Sequence, residues 1–205
     1  METFSQFPAT LTLIGANILA SLYAWSNPAF MMGNLFHVAA IRERREWHRM
    51  ITAGFLHGGV FHLFINMFVL FQFGGFIESI LGTPRFLIVY FAALIGGNLW
   101  AYLENYRNPD YRALGASGGT SGIILSFCLF APFAMLYFIV IPMPAVVFAI
   151  LFIVISAILA QRENRVIGHE AHIGGGLAGL LATIAVEPRA LSEFAAQVSA
   201  FLGGS

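Results

Sequence analysis

Lysine is missing from this 205-residue chain, aspartate occurs once, at Asp110, and cysteine once, at Cys128. A single cysteine rules out an intramolecular disulfide, and its apolar surroundings predict a buried, inert thiol. Charge of either sign is scarce: 10% of residues are charged and the formal net charge is zero, so there is no basic surface with which to expect a nucleic-acid partner. The opening METFSQF has no basic segment before its apolar continuation, which predicts a first membrane span rather than a cleaved leader. What the chain has instead is hydrocarbon. With 59% hydrophobic residues, 21 phenylalanines and a mean hydropathy of +0.80, it reads as an all-α polytopic membrane protein.

A helix needs about 20 apolar residues to cross the bilayer, and the charged residues show where such helices can stop. Six spans fit, at residues 8–25, 58–77, 85–104, 115–131, 144–161 and 171–187, all within one membrane domain covering residues 1–205. The run Ala113–Gln161 holds no charged residue and is too long for one span, with Pro132, Pro142 and Pro144 as breaks between two. Ser26–His57 is long for a loop, apolar and then basic, and predicts interfacial helices on the bilayer surface. The tail after Pro188 reads as a short amphipathic helix.

Six spans put the N-terminal ends of the second, fourth and sixth on one side of the membrane. At that shared depth stand His62 and Asn66, Ser117, and His172. A serine hydroxyl becomes a useful nucleophile only beside a base, and His172 is the candidate base for Ser117. Gly175 and Gly179 follow His172 on its own helix face, and Gly118, Ser121 and Gly122 follow Ser117, so the two backbones can approach as small-residue faces allow in lipid. His62 and Asn66, at i and i+4, share one helix face. With the backbone N–H of Ser117 at a helix start, they form a candidate oxyanion hole. Asp110 lies in a polar loop and Glu170 faces away from His172, which leaves a Ser-His dyad. One aspartate also excludes a two-aspartate intramembrane protease. No cofactor or metal is required.

Simpler and rival readings stand beside this one. The glycine patches, taken singly, read as helix-packing faces, and His62 with Asn66 as interhelical glue. His57 near the same mouth reads as solvated, His37, His48 and His169 as interfacial, and Arg42–Glu46 as a solvated or headgroup-contacting run. HEAH, His169–His172, is one residue short of the H-E-x-x-H zinc motif and lacks a third ligand. A transporter would want charges within its spans.

GASGGTSG (115–122) followed by AHIGGGLAG (171–179), and preceded by EWHRMITAGFLHGGVFHLFINM (46–67), resembles the rhomboid family of intramembrane serine proteases. The resemblance runs from Glu46 to Ala182. It implies a six-helix rhomboid fold with a long first loop and hydrolysis of other proteins' transmembrane segments. It also implies Ser117 as nucleophile, His172 as general base, and His62 and Asn66 as the oxyanion group. Trp47–Arg49 matches the family's tryptophan-arginine motif in part, a histidine intervening. Where some members carry a tyrosine under the histidine, this chain has Ser121. The rival within the same fold is an inactive relative that binds transmembrane helices for quality control; such proteins lack the Ser-His pair that this chain has. Arginines crowd the loops on the Ser117 side, which places that side in the cytoplasm by the positive-inside rule. The family resemblance implies the opposite, with both termini cytoplasmic in a bacterial inner membrane, and that orientation is the one adopted. Oligomeric state and natural substrate are not legible.

Overall fold

The computed structural model describes residues 7–138, 141–160 and 169–203. Helix α1 (Pro8–Ser26) leads into two short helices, α2 (Pro28–Asn34) and α3 (Val38–Arg44), then a single turn, α4 (Arg49–Thr52), and a 3-10 turn at Ala53–Phe55. After these come α5 (Val60–Leu81), α6 (Thr83–Glu104), α7 (Ser117–Phe130), α8 (Ala145–Ala160), α9 (His169–Val186) and α10 (Arg189–Gly203). Helices dominate because lipid offers no partner for backbone N–H and C=O groups, and a helix pairs them internally. The connector at 161–168, with Arg162 and Arg165, and the side chain of His169 lie outside the described residues.

Helices α1, α5 and α6 are long and apolar enough to cross a membrane. Helix α7, with 14 residues, rises about 21 Å, short of the ~30 Å hydrocarbon core. Its ends explain its length. Gly115 takes φ +125° just before it, a conformation closed to most side chains, and Pro132 stops it two residues after Phe130.

The second span runs past Ile77, where the sequence had placed its end. Glu78 is buried inside α5 and 2% exposed. Its carboxylate accepts from the Ala9 N–H (2.9 Å), the Thr10 N–H (2.8 Å) and the Thr83 hydroxyl (2.7 Å). The first two are orphan donors at the start of α1, so a charge that looked like a helix terminus is a cap for another helix.

Two small antiparallel sheets interrupt the helical plan. In the first, β1 (Phe36–His37) pairs with β2 (Arg112–Ala113), Phe36 opposite Ala113. The second, β3 (Met135–Phe138) with β4 (Ile141–Pro144), fills the connector between α7 and α8, where the prolines had suggested only a break. Pro142 and Pro144 bar a helix, and pairing the backbone across a hairpin is the remaining way to satisfy it.

The first loop carries short helices, as expected, and its apolar residues share a core with α6. Phe36, Val38, Ile41, Met50 and Ala53 are buried against Ala101 and Tyr102 of α6 and against Tyr111 and Ala113. Arg49, 3% exposed, donates to the carbonyls of Met32 (2.9 Å) and Leu35 (2.7 Å) and pairs with Glu46 at 2.6 Å. Arg44 and Arg49 hold the Glu46 carboxyl down to about 2, so this clamp stays charged through the physiological range.

Helix α9 packs most extensively on α6 and α7 at the centre of the molecule. Its glycines meet backbone on both sides. A Cβ on Gly175 would overlap the Gly118 carbonyl, and one on Gly179 the Gly122 Cα. On the other flank, a Cβ on Gly97 of α6 would overlap the Ala171 carbonyl, and one on Gly96 the Ala178 side chain. The contact of α7 with α9 is the one the sequence predicts; the equally close contact with α6 is an addition.

Candidate active site

Ser117 is the first residue of α7, with its N–H outside the helical ladder, and is half-buried. Gly118 after it lies against α9: a Cβ there would come 3.4 Å from the carbonyl oxygen of Ala171, the residue before His172. The first turns of the two helices therefore abut, Ser117 standing next to Gly118 on one and His172 next to Ala171 on the other. His172 is half-buried on α9.

His62 closes a second side. A Cβ on Gly115 would meet the His62 ring at Cε1 (2.8 Å) and Nε2 (2.9 Å) and stand 3.7 Å from Ser117 Oγ. The imidazole edge and the serine hydroxyl therefore flank the same glycine, and only glycine leaves room for both. Asn66, one turn along α5 and 4% exposed, donates from Nδ2 to the His62 carbonyl at 2.9 Å. Its Oδ1 accepts from the Thr120 hydroxyl of α7 at 3.3 Å. His62 and Asn66 thus lie against the N-terminal turn of α7, and the turn that carries His172 packs on the same turn through Ala171 and Gly175.

Ser121, one turn after Ser117, is fully buried and donates to the Ser117 carbonyl at 2.5 Å. It is turned inward, away from any approaching substrate. Glu170, also buried, accepts from the Tyr111 hydroxyl at 3.3 Å. Among the described residues no three His, Cys, Asp or Glu side chains gather as a metal site. Cys128 is buried and unpaired with any other cysteine.

His57 overturns its expected solvated role. It is fully buried, and its ring joins α1 to the loop before Ser117. The Ala116 N–H donates to Nε2 at 3.4 Å, so that nitrogen is unprotonated and Nδ1 carries the hydrogen. Nδ1 then donates to Ser21 Oγ at 3.0 Å, and Ser21 passes its own hydrogen to the Phe55 carbonyl at 3.2 Å. The neighbouring Gly115 N–H donates to the Ala53 carbonyl at 3.0 Å. The segment from Ala53 to His57 thus brackets both residues that precede Ser117. Sequence reasoning missed this because a histidine among glycines looks like an exposed turn; the only signal was its place five residues ahead of His62.

Burial, and then the nearby His62, push the His57 imidazole down to about 3 from its ordinary value near 6.5. Between those values the native ring stays neutral while the unfolded one is protonated. Its contribution to stability is therefore complete above about pH 6.5 and is lost as the pH falls towards 3. His57→Gln cannot titrate, and its melting temperature is expected to fall less steeply over that window than the wild type's. Equal slopes in a thermal-melt series would refute the neutral-ring assignment. His57→Leu, which orphans the Ala116 N–H, is expected to cost about 1–3 kcal/mol at neutral pH, and less as the pH falls towards 3.

A profile of the Rhomboid domain matches residues 44–189. The putative rhomboid protease YdcA of Bacillus subtilis is 41% identical over 88 residues, 42% of this chain and 43% of that protein. The human presenilin-associated rhomboid-like protein, mitochondrial, is 31% identical over 138 residues, 64% of this chain and 36% of that one. The inactive RHOMBOID-like protein 8 of Arabidopsis thaliana is 37% identical over 87 residues, 42% of this chain and 25% of that one. The matched stretches span less than half the length of these three relatives. On the helical architecture and on the match to more than half of its length, the chain belongs to the rhomboid family.

Proposed function

We propose that this rhomboid-family protein is an intramembrane serine endopeptidase. The carrying observation is the glycine-to-glycine contact of α7 with α9, which sets the turn bearing Ser117 against the turn bearing His172 while the His62 ring and Ser117 Oγ share the space beside Gly115. Relatives named as protease and as inactive both match this chain. The presence of both a serine and a histidine, on helix turns that abut, favours the active reading.

In the proposed reaction His172 takes the Ser117 proton as Oγ attacks the scissile carbonyl carbon. The oxyanion that forms is held by the Ser117 N–H, His62 and Asn66. Collapse of the tetrahedral intermediate breaks the C–N bond, with the proton on His172 passing to the leaving amine. Water, deprotonated by the same histidine, then attacks the acyl-serine ester and restores the free hydroxyl. The unit proposed is a Ser-His dyad that needs no metal or organic cofactor.

The substrates proposed are transmembrane segments of other proteins. Helix α7, with 14 residues, is shorter than a full span, which supports a Ser117 recessed below the membrane surface. A carbonyl in an intact substrate helix is bonded and shielded, so the segment has to unwind near the cut, and helix-weakening residues are favoured there. The membrane proposed is a bacterial plasma membrane, in keeping with the Bacillus relative. Reconstituted chain mixed with a single-span reporter protein is expected to yield two fragments whose new termini map within or beside the span. Stable co-purification of intact reporter with no fragments would instead support a helix-binding role.

A further inference from the structure

Thr120 lies three residues after Ser117, with no role in the reaction as set out above. It is 4% exposed, and its hydroxyl faces two acceptors, Asn66 Oδ1 at 3.3 Å and the Ser117 carbonyl at 3.2 Å. Its single hydrogen is shared between these two acceptors.

The orientation of the Asn66 amide follows from its two contacts taken together. Nδ2 lies 2.9 Å from the His62 carbonyl oxygen, which can only accept, so the nitrogen belongs on that side. Flipping the amide would set Oδ1 against that carbonyl, two acceptors face to face. The oxygen therefore faces α7, where the Thr120 hydroxyl meets it. One amide hydrogen is used on His62, and the second remains for another acceptor. The amide is held from its own helix by one bond and from the helix of Ser117 by the other.

We infer that Thr120 is a positioning residue: its hydroxyl fixes the Asn66 carboxamide so that the free amide hydrogen is presented to the oxyanion beside Ser117. This rests on the proteolytic reading above. At 3.3 Å the Thr120–Asn66 contact is longer than an ordinary hydroxyl bond. Such contacts tighten as charge develops on the bound substrate oxygen. Drawing electron density from Oδ1 also makes the amide hydrogens better donors, so the hydroxyl acts on the oxyanion through Asn66 without touching it.

The test is a kinetic series on the full chain with a single-span reporter. Thr120→Val keeps the shape and removes the donor; it is expected to lower kcat about 10-fold with KM unchanged, less than the ~100-fold or more lost with a whole oxyanion donor. Thr120→Ser keeps the donor and is expected to stay within about twofold of wild type in kcat. In an Asn66→Ala background, adding Thr120→Val is expected to change nothing further, since the hydroxyl then has no amide to hold. A Thr120→Val enzyme as fast as wild type would overturn the inference, as would an equal loss with and without Asn66. Thr120→Ala, checked for a wild-type melting profile, serves the same comparison if the valine variant does not fold. Absence of cleavage by the wild type would defeat the proteolytic reading itself, a result separate from all of these.

Discussion

Ser117→Ala and His172→Ala are each expected to lower the cleavage rate of a single-span reporter by at least about 1,000-fold, and the double variant to be no slower than either single one. In the proposed reaction the serine supplies the bond-forming oxygen and the histidine makes that oxygen nucleophilic, so removing either removes the same step. Once the step is gone, its partner has nothing left to contribute. Such non-additivity separates a catalytic pair from two polar residues that merely stabilise neighbouring helices, whose losses would add. Asn66→Ala is a milder case, because the Ser117 N–H and His62 remain. If either single variant cleaved at the wild-type rate, the dyad would be wrongly assigned. The fully buried Ser121, whose hydrogen goes to the Ser117 carbonyl, offers no alternative nucleophile.

Gly175→Leu is expected to abolish activity with both members of the dyad still in the sequence. The Gly175 Cα faces the backbone of Gly118, and a Cβ there already overlaps the Gly118 carbonyl before the rest of leucine is added. Backbone cannot rotate away as a side chain can, so α7 and α9 have to separate. Overpacking of this kind costs about 1–3 kcal/mol or more, and a displacement of about 1 Å at the reacting atoms is enough to lose roughly 100-fold in rate. Two controls show whether position or mere glycine loss matters. At Gly176 the nearest obstacle is the end of the Leu125 side chain, at 2.9 Å, which can turn aside, so Gly176→Ala is expected to keep substantial activity. At Gly15 in α1 nothing lies within 4 Å, so Gly15→Ala is expected to leave activity unchanged and to favour the helix by up to about 1 kcal/mol. Wild-type activity in Gly175→Leu would remove the close approach of α7 and α9 from the account.

The parts legible in the sequence were those fixed by local pattern. Helix positions follow from apolar runs cut by charges, and the approach of α7 to α9 follows from glycines spaced by four on each. What stayed hidden depends on partners far along the chain. Glu78 reads as the end of a span until its donors are known, and two of them, the N–H groups of Ala9 and Thr10, stand 69 and 68 residues away. His57 reads as a turn residue until the Ala116 N–H, 59 residues on, is found at its Nε2. The first loop reads as interfacial helices because it is long and its apolar residues are followed by basic ones. Those apolar residues share a core with α6, closed by Arg49 on two backbone carbonyls.

The central claim is that Ser117 is a nucleophile activated by His172, and a fluorophosphonate probe tests it most directly because it reports on the serine without any choice of substrate. Purified wild-type chain is treated with the probe and digested, and the modified residue is located by mass spectrometry. The account predicts a single adduct on Ser117, absent from Ser117→Ala and strongly reduced in His172→Ala. Labelling at Ser121, or labelling of Ser117 that is indifferent to the loss of His172, would contradict it.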